Sequence, residues 1–210
     1  MSVCVFLLNY KIVKMLKRLY CLLLLGVFVA CDIDENRSRA CFIGDSITYQ
    51  WDLEFFFPHL VPLKHAENGA TIQDLDDWNL DECRGIPSVI LMGTNNLGVF
   101  FEDSSMNDFL KDYFSRIERI QADPLVVVSI LPRNFERKQD QSTNRAILNV
   151  NREIEKGLDS LKGNYEYLNV FPLFLDDDFN VRMDLFKDGL HPNIAGQEIL
   201  TSEVMKKLRL

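Results

Sequence analysis

Leu125–Leu131 (LVVVSIL) stays apolar for seven residues with one hydroxyl, and prolines 124 and 132 bound it. A run this short, this rich in Val and Ile and this sharply punctuated is a strand covered on both faces. Ser88–Met92 (SVILM), ending in Gly93, has the same character, and Ala40–Ile43 before Gly44 is a third case. Leu60–Leu63 is weaker, because Pro62 interrupts it, and Tyr165–Phe171 (YEYLNVF) is the last. Between these runs the period changes. Met106, Phe109, Leu110, Tyr113, Phe114, Ile117 and Ile120 recur at spacings of three and four, with Ser104 or Ser105 as the N-cap. Ile147, Val150, Ile154, Leu158 and Leu161 repeat likewise, and Gly163 marks the stop. A final helix runs from about Ile194 to Leu208, opened by Pro192-Asn193. Strands alternating with helices predict a three-layer α/β/α sandwich around a central parallel sheet of about five strands, with right-handed crossovers. A chain of 210 residues, 47% of them apolar, can fill the core of one such domain, and no internal repeat or second domain is evident.

The first 30 residues stand outside that pattern. Leu19–Ala30 (LYCLLLLGVFVA) is apolar almost throughout, with Lys17 and Arg18 before it and Asp32, Asp34 and Glu35 after it. Twelve residues are too few to span a bilayer but suit the apolar region of a signal peptide. The small Ala30 before Cys31 resembles a bacterial lipoprotein signal, in which the cysteine is lipidated and becomes the first residue. Phe28 stands where such signals usually carry Leu. Residues 1–14 fit a signal start poorly, and a start at Met15 gives the usual form. The resemblance implies a signal peptide over 1–30, a lipidated tether over 31–39 and a folded domain over 40–210. It places the protein outside the cytoplasm, held by its lipid in the periplasm or at the outer membrane or cell surface of a Gram-negative bacterium. An ordinary cleaved signal, with Cys31 incidental, and a short N-terminal anchor are the alternatives.

Net charge is −8, and removing the four cations of the leader leaves 19 bases against 31 acids, or −12. With no basic stripe to offset it, such a surface repels phosphate backbones, so nucleic acid is not an expected partner. Of five cysteines, Cys4 and Cys21 leave with the signal and Cys31 takes the lipid. Cys41 and Cys83 remain; they could pair in an oxidising compartment, but Cys41 lies in a buried strand and is read as a free, apolar thiol. No cysteine or histidine spacing suits zinc.

Reactive groups in an open parallel sheet gather beyond the carboxyl ends of its strands. After the first strand comes Gly44-Asp45-Ser46, which puts a hydroxyl at a strand-to-helix turn. Alone it is weak, since the tripeptide arises by chance in roughly one chain in twenty of this length. Gly93-Thr94-Asn95-Asn96 follows the third strand, and Asn68-Gly69-Ala70 follows the second; loop residues of these kinds are usually structural. Asp188-Gly189-Leu190-His191-Pro192 precedes the last helix, and a carboxylate three residues before a loop histidine can hold its Nδ1–H while Nε2 faces outward. A solvated loop histidine is the plain alternative, and a metal-binding pair is the other, with no third ligand evident nearby in the sequence.

Taken in order, Gly44-Asp45-Ser46, Gly69, Gly93-x-Asn95 and Asp188-x-x-His191 resemble the four signature blocks of the GDSL/SGNH hydrolases. FIGDSITYQW (42–51), LMGTNN (91–96), SILPR (129–133) and DGLHPNIAGQEIL (188–200) are similar to its esterase members, and the likeness runs from about Cys41 to Leu208. Asn96, where many members carry Asp, and Ile47, where Leu is usual, depart from the pattern. The resemblance implies a flavodoxin-like SGNH fold over 40–210. It also implies Ser46 as nucleophile, His191 as general base and Asp188 as the group orienting it, with Ser46, Gly69 and Asn95 donating to the oxyanion. It implies no metal or organic cofactor. No G-x-S-x-G elbow is present, which argues against the α/β-hydrolase fold.

The reading that follows is a serine esterase of small acyl groups, acetyl above all, on carbohydrates. A lysophospholipase or thioesterase is the enzymatic alternative, and a non-catalytic carbohydrate-binding lipoprotein is the alternative of another class. His59 and His65 are read as structural or exposed, and Asp176-Asp177-Asp178 as a solvated turn rather than a calcium loop. Trp51 and residues 55–57 are expected to bury the first helix, with an acyl pocket as their second reading. The loop from Arg133 to Gln141, which gathers Arg133, Arg137 and Lys138, is read as a solvated loop, with a grip on a substrate carboxylate or sugar hydroxyl as its second reading.

Overall fold

Five strands build the sheet in the order β2-β1-β3-β4-β5, all parallel: β1 (Ser38–Gly44), β2 (Leu60–Ala66), β3 (Ser88–Leu91), β4 (Leu125–Val128) and β5 (Tyr165–Leu168). The computed structural model describes residues 37–135 and 141–208, so the expected signal peptide over 1–30, Met15, Cys31, Arg137 and Lys138 lie outside the described residues. Register is tight in the centre, where Phe42 sits against Val89 and Val89 against Val126. The weak second run is a real strand at the sheet's edge, the position where proline costs no ladder hydrogen bond.

Alternate strand residues feed two cores. Cys41, Ile43, Ile90 and Val127 meet Tyr113 and Ile117 of α3 (Asp103–Ile120) and Ile147, Val150 and Ile154 of α4 (Gln141–Leu158). Phe42, Val89, Leu91 and Val126 face the opposite layer, against Leu200 and Val204 of α5 (Ile194–Leu208) and the short α1 (Ser46–Tyr49) and α2 (Leu53–Phe56). This period-two division between two apolar layers is the physical content of a three-layer sandwich. Trp51 and Phe57 pack on Phe42 as an aromatic cluster, Trp51 bonding Thr201 Oγ through its indole nitrogen at 3.1 Å, while Phe55 is exposed.

Three expectations require correction. The N-cap of α3 is Glu102, with Met106 N–H donating to its carbonyl at 2.9 Å, so Ser104 and Ser105 fall inside the first turn. Strands β4 and β5 stop three residues short of their apolar runs. Beyond Val128 the buried backbone is satisfied by side chains instead: Asn151 brackets Ile130 (2.9 and 2.8 Å), Asn144 brackets Arg133 (2.8 and 3.1 Å), and Ser129 Oγ accepts from Val170 and Phe171. A buried N–H or C=O must find a partner, and here two amides on one face of α4 replace a neighbouring strand.

The third correction concerns the cysteines. Cys41 and Cys83 form a disulfide with Cα atoms 5.6 Å apart, not two free thiols. Burial, the ground for the free-thiol reading, is compatible with either state, and both sulfurs are fully buried. The bond joins β1 to the 3₁₀ turn Asp81–Cys83 just ahead of β3. Closing a loop of 42 residues restricts the unfolded chain, so Cys83→Ser should cost about 2–4 kcal/mol. Urea unfolding of the variant against the oxidised protein measures the loss, and an unchanged midpoint refutes it.

Candidate active site

Chain geometry at the end of β1 exposes one hydroxyl. A Cβ on Gly44 would lie 2.4 Å from the Leu91 carbonyl oxygen, so only glycine lets the chain turn there. Asp45 then caps α1, accepting the Ile47 N–H at 2.9 Å, and Ser46 opens the helix, where its own N–H has no helical partner. Ser46 and Asp45 are both buried.

The loop before α5 brings the imidazole to that hydroxyl. Asp188 Oδ1 accepts the N–H groups of Leu190 (2.9 Å) and His191 (2.8 Å), folding the loop back on itself. Its Oδ2 lies 2.7 Å from His191 Nδ1, and His191 Nε2 lies 2.9 Å from Ser46 Oγ. Gly189, at φ +84°, accepts the Asn134 N–H at 2.7 Å, and a Cβ there would meet the Asn134 carbonyl at 2.4 Å. The histidine loop is thus docked on the exit of β4. Gln197 of α5 bonds Gln50 O (3.0 Å) and Asp52 N (3.3 Å), tying the same helix to the nucleophile segment.

Two other strand exits lie against the end of β1, where Gly44 pairs with Leu91 of β3 and its carbonyl accepts the Glu67 N–H just past β2 at 3.3 Å. Asn95 Nδ2 donates to the Ala70 carbonyl at 2.8 Å. Asn96 accepts from Ile72 N (3.1 Å) and donates to Gln73 (2.9 Å), so the departure from Asp serves to clamp the turn after Gly69. Gly69 sits at φ +80°, and its N–H donates to no group among the described residues. With one N–H of the Asn95 amide spent on Ala70, its second remains for a ligand.

The carboxylates differ sharply. Burial raises Asp188, but the hydrogen bonds from His191 and Leu190 outweigh it and hold the group down at about 2. Burial drives Asp45 the other way, up to about 7, only partly offset by the Ile47 N–H, His191 and Arg133. Because the folded state then holds a proton that the unfolded chain releases near pH 4, this group's contribution to stability falls as pH rises from about 4 to 7. Asp45→Asn keeps the cap acceptor and removes the titration. The variant should gain several kcal/mol relative to the parent at pH 8 compared with pH 4; equal differences in urea stability at both pH values would contradict this.

Arg133, half-buried at the β4 exit, donates to the Thr94 carbonyl at 3.3 Å and lies 5.8 Å from the Phe135 ring centre. Residues expected to be bland are so placed: His59 is exposed, His65 Nε2 lies 2.9 Å from Glu82, and Asp176 caps an exposed turn by accepting from Asp178 and Asn180. The sequence reading missed Asn144 and Asn151; two amides seven residues apart on an apolar helical face are the signal that could have found them.

Fold and site together define an α/β protein with a Ser–His–Asp hydrogen-bonded chain at the carboxyl edge of its sheet. Residues 42–199 match the GDSL-like lipase/acylhydrolase family, and the chain belongs to that family. No curated protein matches it. Its fold is similar to that of a Streptococcus pneumonia protein (22% identity, 99% of each chain, TM-score 0.69). It is also similar to a GDSL-like lipase from Bacteroides thetaiotaomicron (18%, 82% of this chain and 88% of that one, 0.67). An acetyl xylan esterase shares the fold as well (18%, 80% and 98%, 0.63).

Proposed function

We propose that the protein is a serine esterase that removes small acyl groups, acetyl above all, from carbohydrates. The observation that carries this is the unbroken chain of contacts from Asp188 Oδ2 through His191 to Ser46 Oγ. In this reading Nδ1 carries the imidazole proton, held by Asp188, and Nε2 accepts the Ser46 proton as Oγ attacks the ester carbonyl. The oxyanion receives the N–H groups of Ser46 and Gly69 and the second amide N–H of Asn95. His191 then returns its proton to the leaving alcohol. A water, deprotonated by His191 in turn, attacks the acyl-Ser46 carbonyl and releases the acid.

The acetyl-carbohydrate assignment draws on the resemblance of residues 1–30 and Cys31 to a lipoprotein signal, which would hold the protein where polymers are met, and on the sequence's lack of a long apolar stretch to cradle a fatty chain. The shared fold of an acetyl xylan esterase is consistent with it. A fluorophosphonate probe should label Ser46, and turnover of nitrophenyl acetate should exceed that of the octanoate; no labelling, or the reverse preference, refutes the corresponding part.

Asn95→Ala should lower kcat by about 10²–10³, the usual loss for one oxyanion donor. The amide also holds the Ala70 carbonyl, so KM and the thermal midpoint are measured beside kcat. A fall in kcat below tenfold, with the fold intact, removes Asn95 from the oxyanion site.

A further inference from the structure

A cavity of about 220 Å³ lies at the opposite end of the sheet from Ser46, lined by Asp76, Trp78, Asn79, Arg84, Arg116 and Arg119 among others. Its position follows from the chain's direction. Helix α3 runs against the strands, so Arg116 and Arg119, in its last turns, reach the end where β3 and β4 begin. There Gly85 N–H bonds Gln121 O at 2.9 Å and Asp123 N–H bonds Ile86 O at 3.1 Å. The nucleophile sits at the strands' other ends, so the cavity is no extension of the active site.

The lining has a definite chemistry. Asp76 accepts from Arg116 (2.7 Å) through one oxygen and from Arg119 through the other, and Arg84 pairs with Asp81 at 3.3 Å. The guanidinium charges are therefore largely met by carboxylates, and an anionic ligand would have to displace them. An apolar ligand would strip water from five charged side chains and return nothing. Hydrogen-bonding capacity is nonetheless left over. Each Asp76 oxygen keeps a lone pair, and Nε and Nη1 of Arg119 have no protein partner among the described residues. Asn79 uses its oxygen to accept the Asp81 N–H at 3.0 Å, and its amide N–H pair has no partner among the described residues. Beside these groups stands the half-buried indole of Trp78, packed in part on the core. Mixed donors and acceptors next to a broad aromatic surface suit a ring that carries hydroxyls at its edge and C–H groups on its face.

We propose that this cavity binds a neutral pyranose unit of a polysaccharide, a second sugar site that keeps the protein on its polymer. The choice of a polymer rests on the carbohydrate-ester reading, but binding here requires no catalysis.

The test uses Ser46→Ala protein and unacetylated xylohexaose, cellohexaose and mannohexaose, with trigalacturonate as the anionic comparison, so that failure of binding and failure of ester hydrolysis are read separately. Calorimetry gives the affinity. Tryptophan emission gives the place, because the only other tryptophan, Trp51, is 1% exposed. At least one neutral oligosaccharide should bind saturably and shift the emission. Trp78→Ala and the exposed-site variant Asn79→Ala should each weaken binding by about tenfold or more, with circular dichroism unchanged for Asn79→Ala. The proposal is overturned if none binds by about 10 mM, if Asn79→Ala leaves the affinity intact, or if trigalacturonate binds more tightly than every neutral chain.

Discussion

Ser46→Ala is expected to abolish ester hydrolysis, with kcat falling by about 10⁶, or about 8 kcal/mol of transition-state stabilisation. The substitution removes one oxygen atom from a buried helix start and leaves Asp45's cap on Ile47, the Gly44 turn and the α5 contacts untouched. Folding should therefore survive, so lost turnover reports chemistry rather than collapse. The His191 imidazole would remain beside an empty position, able to activate water weakly, and the oxyanion donors would still bind the carbonyl. Residual activity should thus exceed the uncatalysed rate by about 10³–10⁴. Because nucleophile and base act as a unit, a Ser46→Ala, His191→Ala double variant should be hardly worse than the single one. Full activity in purified Ser46→Ala protein would end the hydrolase mechanism given above.

Asp188→Asn is the second large effect, a loss in kcat of about 10⁴. The amide can still occupy the 2.7 Å contact with His191 Nδ1, but by donating a hydrogen it favours the tautomer whose Nε2 is already protonated. That nitrogen cannot then accept the Ser46 proton. The substitution also has a pH signature. The folded carboxyl titrates at about 2, below the ordinary 3.8, so its contribution to stability is complete above about pH 4 and is lost as pH falls toward 2. Unfolding of Asp188→Asn should lack that acid-side component, while at pH 7 the loss in kcat dominates. The carboxylate is substantially exposed, so the stability change at neutral pH should be small. A kcat within tenfold of the parent would show that another group orients the imidazole.

Most of the architecture was legible because its causes are local. LVVVSIL between two prolines has no surface to turn to water, and the spacing from Met106 to Ile120 writes one apolar face into a helix; both segments fold as that chemistry requires. Element ends were less legible. The apolar run continues to Leu131, yet the ladder stops at Val128, because two amides from a helix that follows in sequence take over the hydrogen bonds. The Cys41–Cys83 disulfide was misread for a related reason: burial can be inferred from a strand's composition, but which two buried sulfurs lie within bonding reach cannot.

The candidate site divides in the same way. Ser46, Gly69 and Asn95 follow the ends of apolar runs in the primary structure and Asp188 and His191 precede the last helix, and the carboxyl edge of a parallel sheet is where such side chains can escape the ladder and meet. Residue order therefore determined the layers, the strands and the short list of reactive groups. Tertiary structure alone decided that burial raises the Asp45 carboxyl while hydrogen bonds hold Asp188 low, that Asn96 clamps a turn, and that Trp78 and three arginines share a cavity at the far end. Those outcomes depend on solvent exclusion and on distances of a few ångströms between segments far apart in sequence. Coulomb and hydrogen-bond energies vary steeply with both, and neither is encoded by any stretch of chain read by itself.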